Sequence, residues 1–291
     1  MIPTLSIRTF TTAVLLATAT AAFADADFER TLTISGQPDL YVSTGSGNIK
    51  IFPGSDGQVH IKAHVHVGWG ASGSTDARVT RIVQNPPIVQ SGNTIRVGET
   101  NDRELYNHIS IDYEISAPAS TALNLRSGSG DVEVDHVGRF LAASSGSGSV
   151  RAHGVRGPAD LHSGSGDIEL QQDAAGEVKA QTGSGSVRIN GLDGGLTART
   201  GSGDIEASGR ITGATRISTG SGSVHLNLPP DAHFDLEGST GSGSIRVHFP
   251  NAPQQGDDSR HHLTGAVNGG GPVLEARTGS GDIEINSSYH K

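Results

Sequence analysis

Short runs in which apolar and polar residues alternate recur along most of this chain. Each run ends in the tripeptide Gly-Ser-Gly, and a second alternating run follows it. Alternation is typical of a strand with one buried face. Each unit is therefore predicted to be strand, glycine corner, strand and looser turn, with glycine supplying positive φ at the corner. One apolar position of the second strand forms a column that should face inward: Val132, Val150, Ile168, Val187, Ile205, Val224, Ile245 and Ile283.

The spacing of these units predicts an all-β fold, a parallel β-solenoid (β-helix) of ~18–19-residue rungs over 123–291. The regular units begin at Gly128, Gly146, Gly164, Gly183, Gly201, Gly220, Gly241 and Gly279. One unit cannot bury its own apolar face, whereas stacked units bury a continuous core. Residues 123–249 are expected to form consecutive parallel rungs. A β-sandwich or a propeller is the alternative, but a propeller blade uses a longer stretch of chain per unit.

Residues 25–122 are predicted to form a β-rich region that caps the N-terminal end of the stack. Gln58–Val67 alternates as one long strand, and residues 76–84 have helical spacing before a Pro-Pro stop. A hairpin is expected over residues 88–97, and a further strand over His108–Ser116. Such a cap would protect the open edges of the stack from pairing with other chains.

The interval between Gly241 and Gly279 is twice the usual spacing, so it could hide another rung. The segment Ser259-Arg260-His261-His262 would then occupy the corner, where bulky cationic side chains do not fit. Residues 250–271 are therefore predicted to be a loop or hairpin outside the stack. In that case the strand around Ile283–Ile285 should pair with Ile245–Val247.

An outward position of the second strand alternates in sign over five successive rungs. Like charges in register would repel, so this alternation is expected to fix the order of the rungs. Glu169 should lie between Arg151 and Arg188, within salt-bridge reach of at least one. The predicted structural charge ladder consists of Glu133, Arg151, Glu169, Arg188, Glu206, His225, Arg246 and Glu284.

A Ser or Thr stands directly before every Gly-Ser-Gly. These residues form a second predicted ladder, of hydroxyl groups, which we expect the rod to present to a partner together with the charges. The hydroxyl ladder consists of Ser127, Ser145, Ser163, Thr182, Thr200, Thr219, Thr240 and Thr278.

Three chemical alternatives arise from the same residues. Paired carboxylates such as Asp167-x-Glu169 can serve glycoside hydrolysis, but the pair recurs on alternate rungs, whereas an active site occurs once. The repeat lacks the glycine spacing of calcium-binding nonapeptides. His64-x-His66 could hold zinc on one strand face, although no third ligand is evident and Lys62 is adjacent. No catalytic, cofactor-binding or metal-binding residue is therefore predicted.

Composition indicates an exported protein. Residues 1–24 have a basic start at Arg8, an apolar stretch and a small-x-small end at Ala22–Ala24, the pattern of a cleaved signal peptide. The chain has no cysteine, so neither a lipid-anchored cysteine nor a disulfide is expected. Arg8 is the only charged side chain before Asp25, so the rest of the chain has a net charge of −10. Nucleic acid is disfavoured as a partner, no membrane span is predicted, and the oligomeric state stays open.

The early Thr44-Gly45-Ser46-Gly47-Asn48-Ile49, the excursion ending in Ile115–Pro118, and the tandem Gly-Ser-Gly units together resemble the DUF4097 family of "putative adhesins", bacterial β-strand-repeat proteins. The resemblance covers roughly residues 28–287. It implies an envelope or surface location and no known catalytic residue. With the signal peptide, the expected location is the periplasm, the cell surface or outside the cell. The expected function is a non-catalytic envelope protein, structural or adhesin-like, that binds a polysaccharide or a protein. A carbohydrate-active solenoid enzyme is the alternative.

Overall fold

The computed structural model describes residues 25–68, 75–99, 104–253 and 261–287. The predicted signal peptide lies outside these residues. The N-terminal elements are β1 (Ala26–Thr33), β2 (Asp39–Thr44), β3 (Ile49–Pro53), β4 (Gln58–Val67), α1 (Thr75–Gln84), β5 (Ile88–Ser91), β6 (Thr94–Val97) and β7 (Ile109–Ala117). The remaining strands are β8 (Ala122–Ser127), β9 (Val132–Asp135), β10 (Phe140–Ser145), β11 (Val150–Val155), β12 (Ala159–Ser163), β13 (Ile168–Gln172), β14 (Val178–Thr182), β15 (Val187–Ser202), β16 (Ile205–Ser221), β17 (Val224–Asn227), β18 (Phe234–Ser242), β19 (Ile245–His248), β20 (His262–Val267), β21 (Val273–Ser280) and β22 (Ile283–Asn286).

The predicted parallel solenoid is confirmed. Each rung has a first arm before the Gly-Ser-Gly corner and a second arm after it, and each arm pairs in parallel with the same arm of the neighbouring rungs. We call the outward surface of the first arms the first face, and that of the second arms the second face. The predicted inward column is buried throughout, with no member more than 1% exposed.

Nine rungs stack in the described chain, and we number them by position in space. Rungs 1 to 7 have the same order in space as in the sequence. Strands β2 and β3 form rung 1, and β17, the second arm that follows Gly220, completes rung 7. The long strands β15 and β16 each run from the second arm of one rung into the first arm of the next. The first rung thus belongs to the region predicted as a cap, so the stack begins well before residue 123.

The last two rungs break the sequence order. The C-terminal strands β21 and β22 pair on one side with rung 7, where Val224 faces Ile283. On the other side they pair with β18 and β19, where Ile245 faces Ile283. The C-terminal residues therefore form rung 8, inserted between two rungs that precede them in sequence. The prediction of consecutive rungs over residues 123–249 is wrong at this one step.

The described residues between β19 and β21 form no rung between β19 and β22, as predicted. Ile283 and Ile285 pair with Ile245 and Val247, the arrangement expected if no rung intervenes. The segment is not wholly outside the sheet, however. Strand β20 pairs antiparallel with β18 and closes the first-arm sheet at this end. Residues 254–260, including Ser259 and Arg260 of the disfavoured corner, lie outside the described residues.

At the N-terminal end, additional strands and the helix cover rung 1. On this side of β3 the sheet is extended by β7, which pairs with β3, then by β4 and then by β1. Beside β2 the sheet is extended by β6 and then by β5. Helix α1 confirms the predicted helix, and Val79 and Ile82 on it are buried. The predicted strand over 58–67 and the hairpin over 88–97 are confirmed as well.

The glycine corners are required mainly because neighbouring rungs approach closely. A Cβ on Gly146 would lie 2.2 Å from the carbonyl oxygen of Gly128 in the rung before it. A Cβ on Gly148 would lie 2.3 Å from the carbonyl oxygen of Gly130. The expected positive φ does not occur at the first glycine of any corner, but it occurs at the second glycine of four corners, Gly203, Gly222, Gly243 and Gly281, where φ is 141–149°. Backbone contact between rungs is therefore the reason for glycine at the first position.

Candidate binding surfaces

The hydroxyl ladder is buried, so the prediction that it faces a partner is wrong. Its eight members are 5–7% exposed. Thr200 Oγ1 donates a hydrogen bond of 2.8 Å to the carbonyl oxygen of Gly185 in the preceding rung, and the same bond recurs along the stack. In several rungs the hydroxyl also accepts the backbone N–H of the second glycine. The ladder therefore fastens each corner to the next one.

The second face carries the charge ladder, and it is longer than the sequence indicated. Register places twelve residues in one row, and acidic and basic side chains alternate without exception across it. In spatial order the row is Glu29, Lys62, Glu114, Lys50, Glu133, Arg151, Glu169, Arg188, Glu206, His225, Glu284 and Arg246. The insertion of rung 8 places Glu284 between His225 and Arg246, which are neighbours in the sequence-ordered ladder.

Direct ion pairs join only some members of this ladder. Arg188 Nε lies 3.5 Å from Glu206 Oε2, and His225 Nδ1 lies 3.5 Å from Glu284 Oε2. Glu169 occupies the predicted position between two arginines, yet no cationic nitrogen of a described residue lies within 4.0 Å of its carboxylate. Arg151 instead reaches Asp131 at 3.4 Å. These side chains are about half exposed, so each pair contributes only about 0–1 kcal/mol.

The aspartates of the Asp-x-Glu pairs hold adjacent rungs together at the corner. Asp282 Oδ1 accepts hydrogen bonds from the hydroxyl and the backbone N–H of Ser244, at 2.9 and 2.8 Å. These two bonds, in that order, hold the pKa of Asp282 below its usual value, and Arg246 adds to the effect. The equivalent backbone bond forms in three other rungs. The aspartates of all four pairs thus make the same contact between rungs, whereas an active site would occur once.

Two kinds of rung alternate strictly in space. One kind has an Arg or His two residues before the corner and Asp-x-Glu after it, as in rung 6 with Arg199, Asp204 and Glu206. The other has a Ser or Gln before the corner and Ser-x-Arg, Ser-x-His or Asn-x-Lys after it. In the sequence, the rungs at Gly220 and Gly241 are consecutive and of the second kind. This repetition was the available signal that another rung intervenes.

The alternation places a row of basic side chains on the first face. We call it the basic column; its members are Arg126, His162, Arg199, Arg277 and His262, all exposed. Register separates each from the next by one Ser or Gln. Because neighbouring rungs are about 4.8 Å apart, the cations repeat about every 9.6 Å. In the sequence only Arg126, His162 and Arg199 lie on alternate units, and the spatial order of the strands adds Arg277 and His262 to the column.

Several cations on the first face have no acidic partner among the described residues. Arg126, Lys179 and Arg199 form no ion pair there, whereas Glu275 binds Arg277 at 2.7 Å and Arg216 at 3.4 Å, and Asp160 contacts His162 at 2.8 Å. Thr197 lies in register between Lys179 on one rung and Arg216 on the other. The middle of the first face is therefore basic, although the chain as a whole is acidic.

Two shallow depressions lie near the ends of the first face. One, of about 340 Å³, is lined by residues that include Ser239, His262 and Arg277. The other, of about 330 Å³, includes Tyr41 and Arg126. Arg96 stacks over the Tyr41 ring at 4.5 Å and contacts Glu99, which also lines this depression, at 2.9 Å. Both depressions therefore open along the basic column.

The profile of the family described as "Toastrack DUF4097" matches residues 11–286. The chain belongs to this family. A crystal structure of a "putative adhesin" from Bacteroides fragilis NCTC 9343 has 13% sequence identity to this chain and a TM-score of 0.49. The match covers 90% of this chain and 98% of the Bacteroides chain. A "putative cell adhesion protein" from Clostridium sporogenes ATCC 15579 has 11% identity and a TM-score of 0.27, with 90% and 99% covered. No curated protein sequence matches.

Histidine and aspartate side chains also lie close together near the N-terminal end of the described chain. His64 Nδ1 lies 2.7 Å from Asp27, and His66 lies between Asp112 at 3.1 Å and Asp25 at 3.4 Å. The carboxylates thus contact the two histidines that were considered as zinc ligands. Within the described ranges, no three His, Asp or Glu side chains are arranged to hold a metal ion. No helix there has the length and apolarity needed to cross a membrane.

Proposed function

We propose that this protein is an exported, non-catalytic binding module of the cell envelope that uses its first face to bind an extended polymer. The observation that carries the proposal is the basic column, in which exposed basic side chains lie on every second rung from rung 2 to rung 8 and on β20. A flat face with a regular repeat suits a polymer that repeats in the same direction. The aspartates at the corners instead accept hydrogen bonds that hold adjacent rungs together.

Export is part of the proposal and has its own test. Residues 1–24 have the composition of a signal peptide. When the full chain is expressed in a Gram-negative host, we expect the exported product to begin at Asp25 by N-terminal sequencing. An uncleaved product that stays in the cytoplasm would contradict this part of the proposal.

Binding is tested with the purified protein on an array of soluble polysaccharides, both neutral and charged. We expect saturable binding to at least one polymer, and its loss when substitutions are made on the first face but not on the second. Absence of binding to every polymer would overturn the proposal.

The enzymatic alternative makes a different prediction. If an Asp-x-Glu pair were catalytic, polysaccharide incubated with the protein would gain new chain ends, and the double substitution Asp167→Asn with Glu169→Gln would abolish the gain. We expect no new chain ends with either protein, because Asp167 makes the same hydrogen bond to the next rung as its three equivalents.

A further inference from the structure

We propose that the first face binds an anionic polysaccharide that carries one carboxylate per disaccharide, extended along the rod; this rests on the proposed binding function. The spacing of the basic column is the first argument. Cations on every second rung match anions about 9.6 Å apart. Two pyranose rings of an extended chain occupy a similar length, so the charges of the polymer and of the protein would stay in register over several rungs.

Exposed hydroxyl groups beside the basic column provide the second argument. The middle serine of each Gly-Ser-Gly corner is exposed in all nine rungs. Register aligns these serines from rung to rung, as for Ser202, Ser221 and Ser280. The row is Ser46, Ser129, Ser147, Ser165, Ser184, Ser202, Ser221, Ser280 and Ser242. It offers one hydroxyl about every 4.8 Å, which suits the hydroxyl groups of each successive sugar.

The two rows together favour a polysaccharide over other polyanions. Each serine lies three residues after the basic-column position of its rung, as Ser129 does after Arg126 and Ser202 after Arg199. A ligand along this edge would thus meet hydroxyls at every rung and cations at alternate rungs. Duplex DNA carries about one charge per 1.7 Å of axis, far denser than this column.

Two arginines of the basic column have no acidic partner among the described residues. Arg126 and Arg199 form no ion pair with any described residue, and Lys179 beside Arg199 is likewise unpaired within those ranges. The arginines of the second face are different, because Arg151, Arg188 and Arg246 each contact a carboxylate at 3.4–3.6 Å. Within the basic column, Arg126 and Arg199 therefore have unpaired guanidinium groups, whereas Arg277 contacts Glu275 at 2.7 Å and His162 contacts Asp160 at 2.8 Å.

The test compares two triple variants of equal charge. In the first, Arg126→Ser, Arg199→Ser and Arg277→Ser remove three members of the basic column and introduce the residue found on most alternate rungs. In the control, Arg151→Ser, Arg188→Ser and Arg246→Ser remove three cations from the second face. Thermal unfolding monitors folding of both variants. Replacement of the same three first-face arginines by lysine keeps the charge and should keep most of the binding.

Binding is measured by calorimetry with hyaluronan oligosaccharides, which carry one carboxylate per disaccharide. We expect the basic-column variant to bind at least about tenfold more weakly, since each exposed contact contributes up to about 1 kcal/mol. The control should stay within about twofold. Binding should also weaken as salt rises. Oligogalacturonate, with a carboxylate on every sugar, and neutral cello-oligosaccharides should bind more weakly than hyaluronan.

Three results would overturn the inference. Equal losses in both variants would mean that only net charge matters, and oligogalacturonate binding as tightly as hyaluronan would remove the spacing argument. If the protein binds neutral polymers through the first face but not hyaluronan, the anionic ligand is wrong while the proposed binding function stands. If it binds no polymer at all, both proposals fail.

Discussion

At the scale of single residues, contact between neighbouring rungs determines which side chains the corner accepts. Glycine occurs at both ends of the corner because a Cβ there would meet backbone atoms of the preceding rung. Gly45 is different, since a Cβ at this position would have nothing within 4 Å. The same motif position therefore has a strict requirement in rung 3 and none in rung 1.

This difference gives a matched pair of substitutions. Gly146→Ala should lower the free energy of unfolding by about 2–3 kcal/mol, because its Cβ would lie 2.2 Å from a backbone oxygen and the rungs must move apart. Gly45→Ala should change it by less than about 0.5 kcal/mol. Chemical denaturation of both variants measures the difference, and equal stability would contradict the steric explanation.

The buried hydroxyls lead to a second prediction at this scale. Thr200→Val keeps the side-chain shape but leaves the carbonyl oxygen of Gly185 without its 2.8 Å donor, so it should cost about 1–3 kcal/mol. Thr197→Val, on the outward side of the same strand, is the control and should be nearly neutral. Denaturant unfolding compares them; a Thr197 variant as unstable as the Thr200 variant would argue against a structural role for the hydroxyl ladder.

At the scale of the rungs, side chains at the corner and on the second face determine which rung stacks on which. Each aspartate at a corner accepts a backbone N–H from the following rung, and the charge ladder places opposite charges next to each other. An inverted or slipped rung would lose the first interaction and bring like charges together. The contribution of such contacts is therefore mainly to the order of the stack.

The Asp282 contact predicts a dependence on pH. Its folded-state pKa is lower than its usual value, so the stabilisation is complete above the usual pKa of 3.8 and is lost as pH falls through the lowered value. Asp282→Asn cannot ionise. The stability difference between the wild type and this variant should therefore shrink as pH falls from about 7 to about 3.

Thermal unfolding across this pH range measures the effect. Asp56→Asn, at an exposed aspartate in a loop with no hydrogen bond to a described side chain, provides the control and should show no such change. A constant difference between the wild type and Asp282→Asn at all pH values would contradict the assignment.

At the scale of the whole molecule, the C-terminal rung lies between two rungs that precede it in the sequence. The C-terminal strands β21 and β22 enter between rungs 7 and 9, and β20 runs along the outer side of β18 before the chain turns back. Strand β18 is thus held between two segments that follow it in sequence. Rung 9 can reach its native neighbour only when the last residues of the chain are in place.

Engineered disulfides test this order, because the natural chain has no cysteine. Asn227→Cys with Asn286→Cys should form a disulfide, since these residues are partners on adjacent strands. Asn227→Cys with His248→Cys should not, because rung 8 separates them by about 9.6 Å. A disulfide needs Cα atoms within about 7 Å. Mass spectrometry without reductant decides the matter, and cross-linking of only the second pair would refute the inserted rung.

The sequence by itself determined the strands, the corners and the direction in which side chains point. The alternation of apolar and polar residues defines the buried column, since side chains along a strand point to opposite faces in turn. The helix at 75–84 and the strand at 58–67 followed from equally local patterns. The location of the protein stays a prediction from signal-peptide composition and family membership, and its binding function stays a proposal that rests on the basic column.

Only the tertiary structure decided which surfaces are exposed and in what order the rungs stack. The hydroxyl ladder looks like an exposed row in the sequence, but its hydroxyl groups bond to backbone atoms of another rung and are buried. The basic column requires Arg277 to follow Ser218 in space, although Ser239 comes between them in sequence. Pairing between strands depends on backbone partners remote in the chain. The local pattern of apolar and polar residues therefore predicts which side of a strand is buried, whereas the strands that flank it depend on pairing in the complete stack.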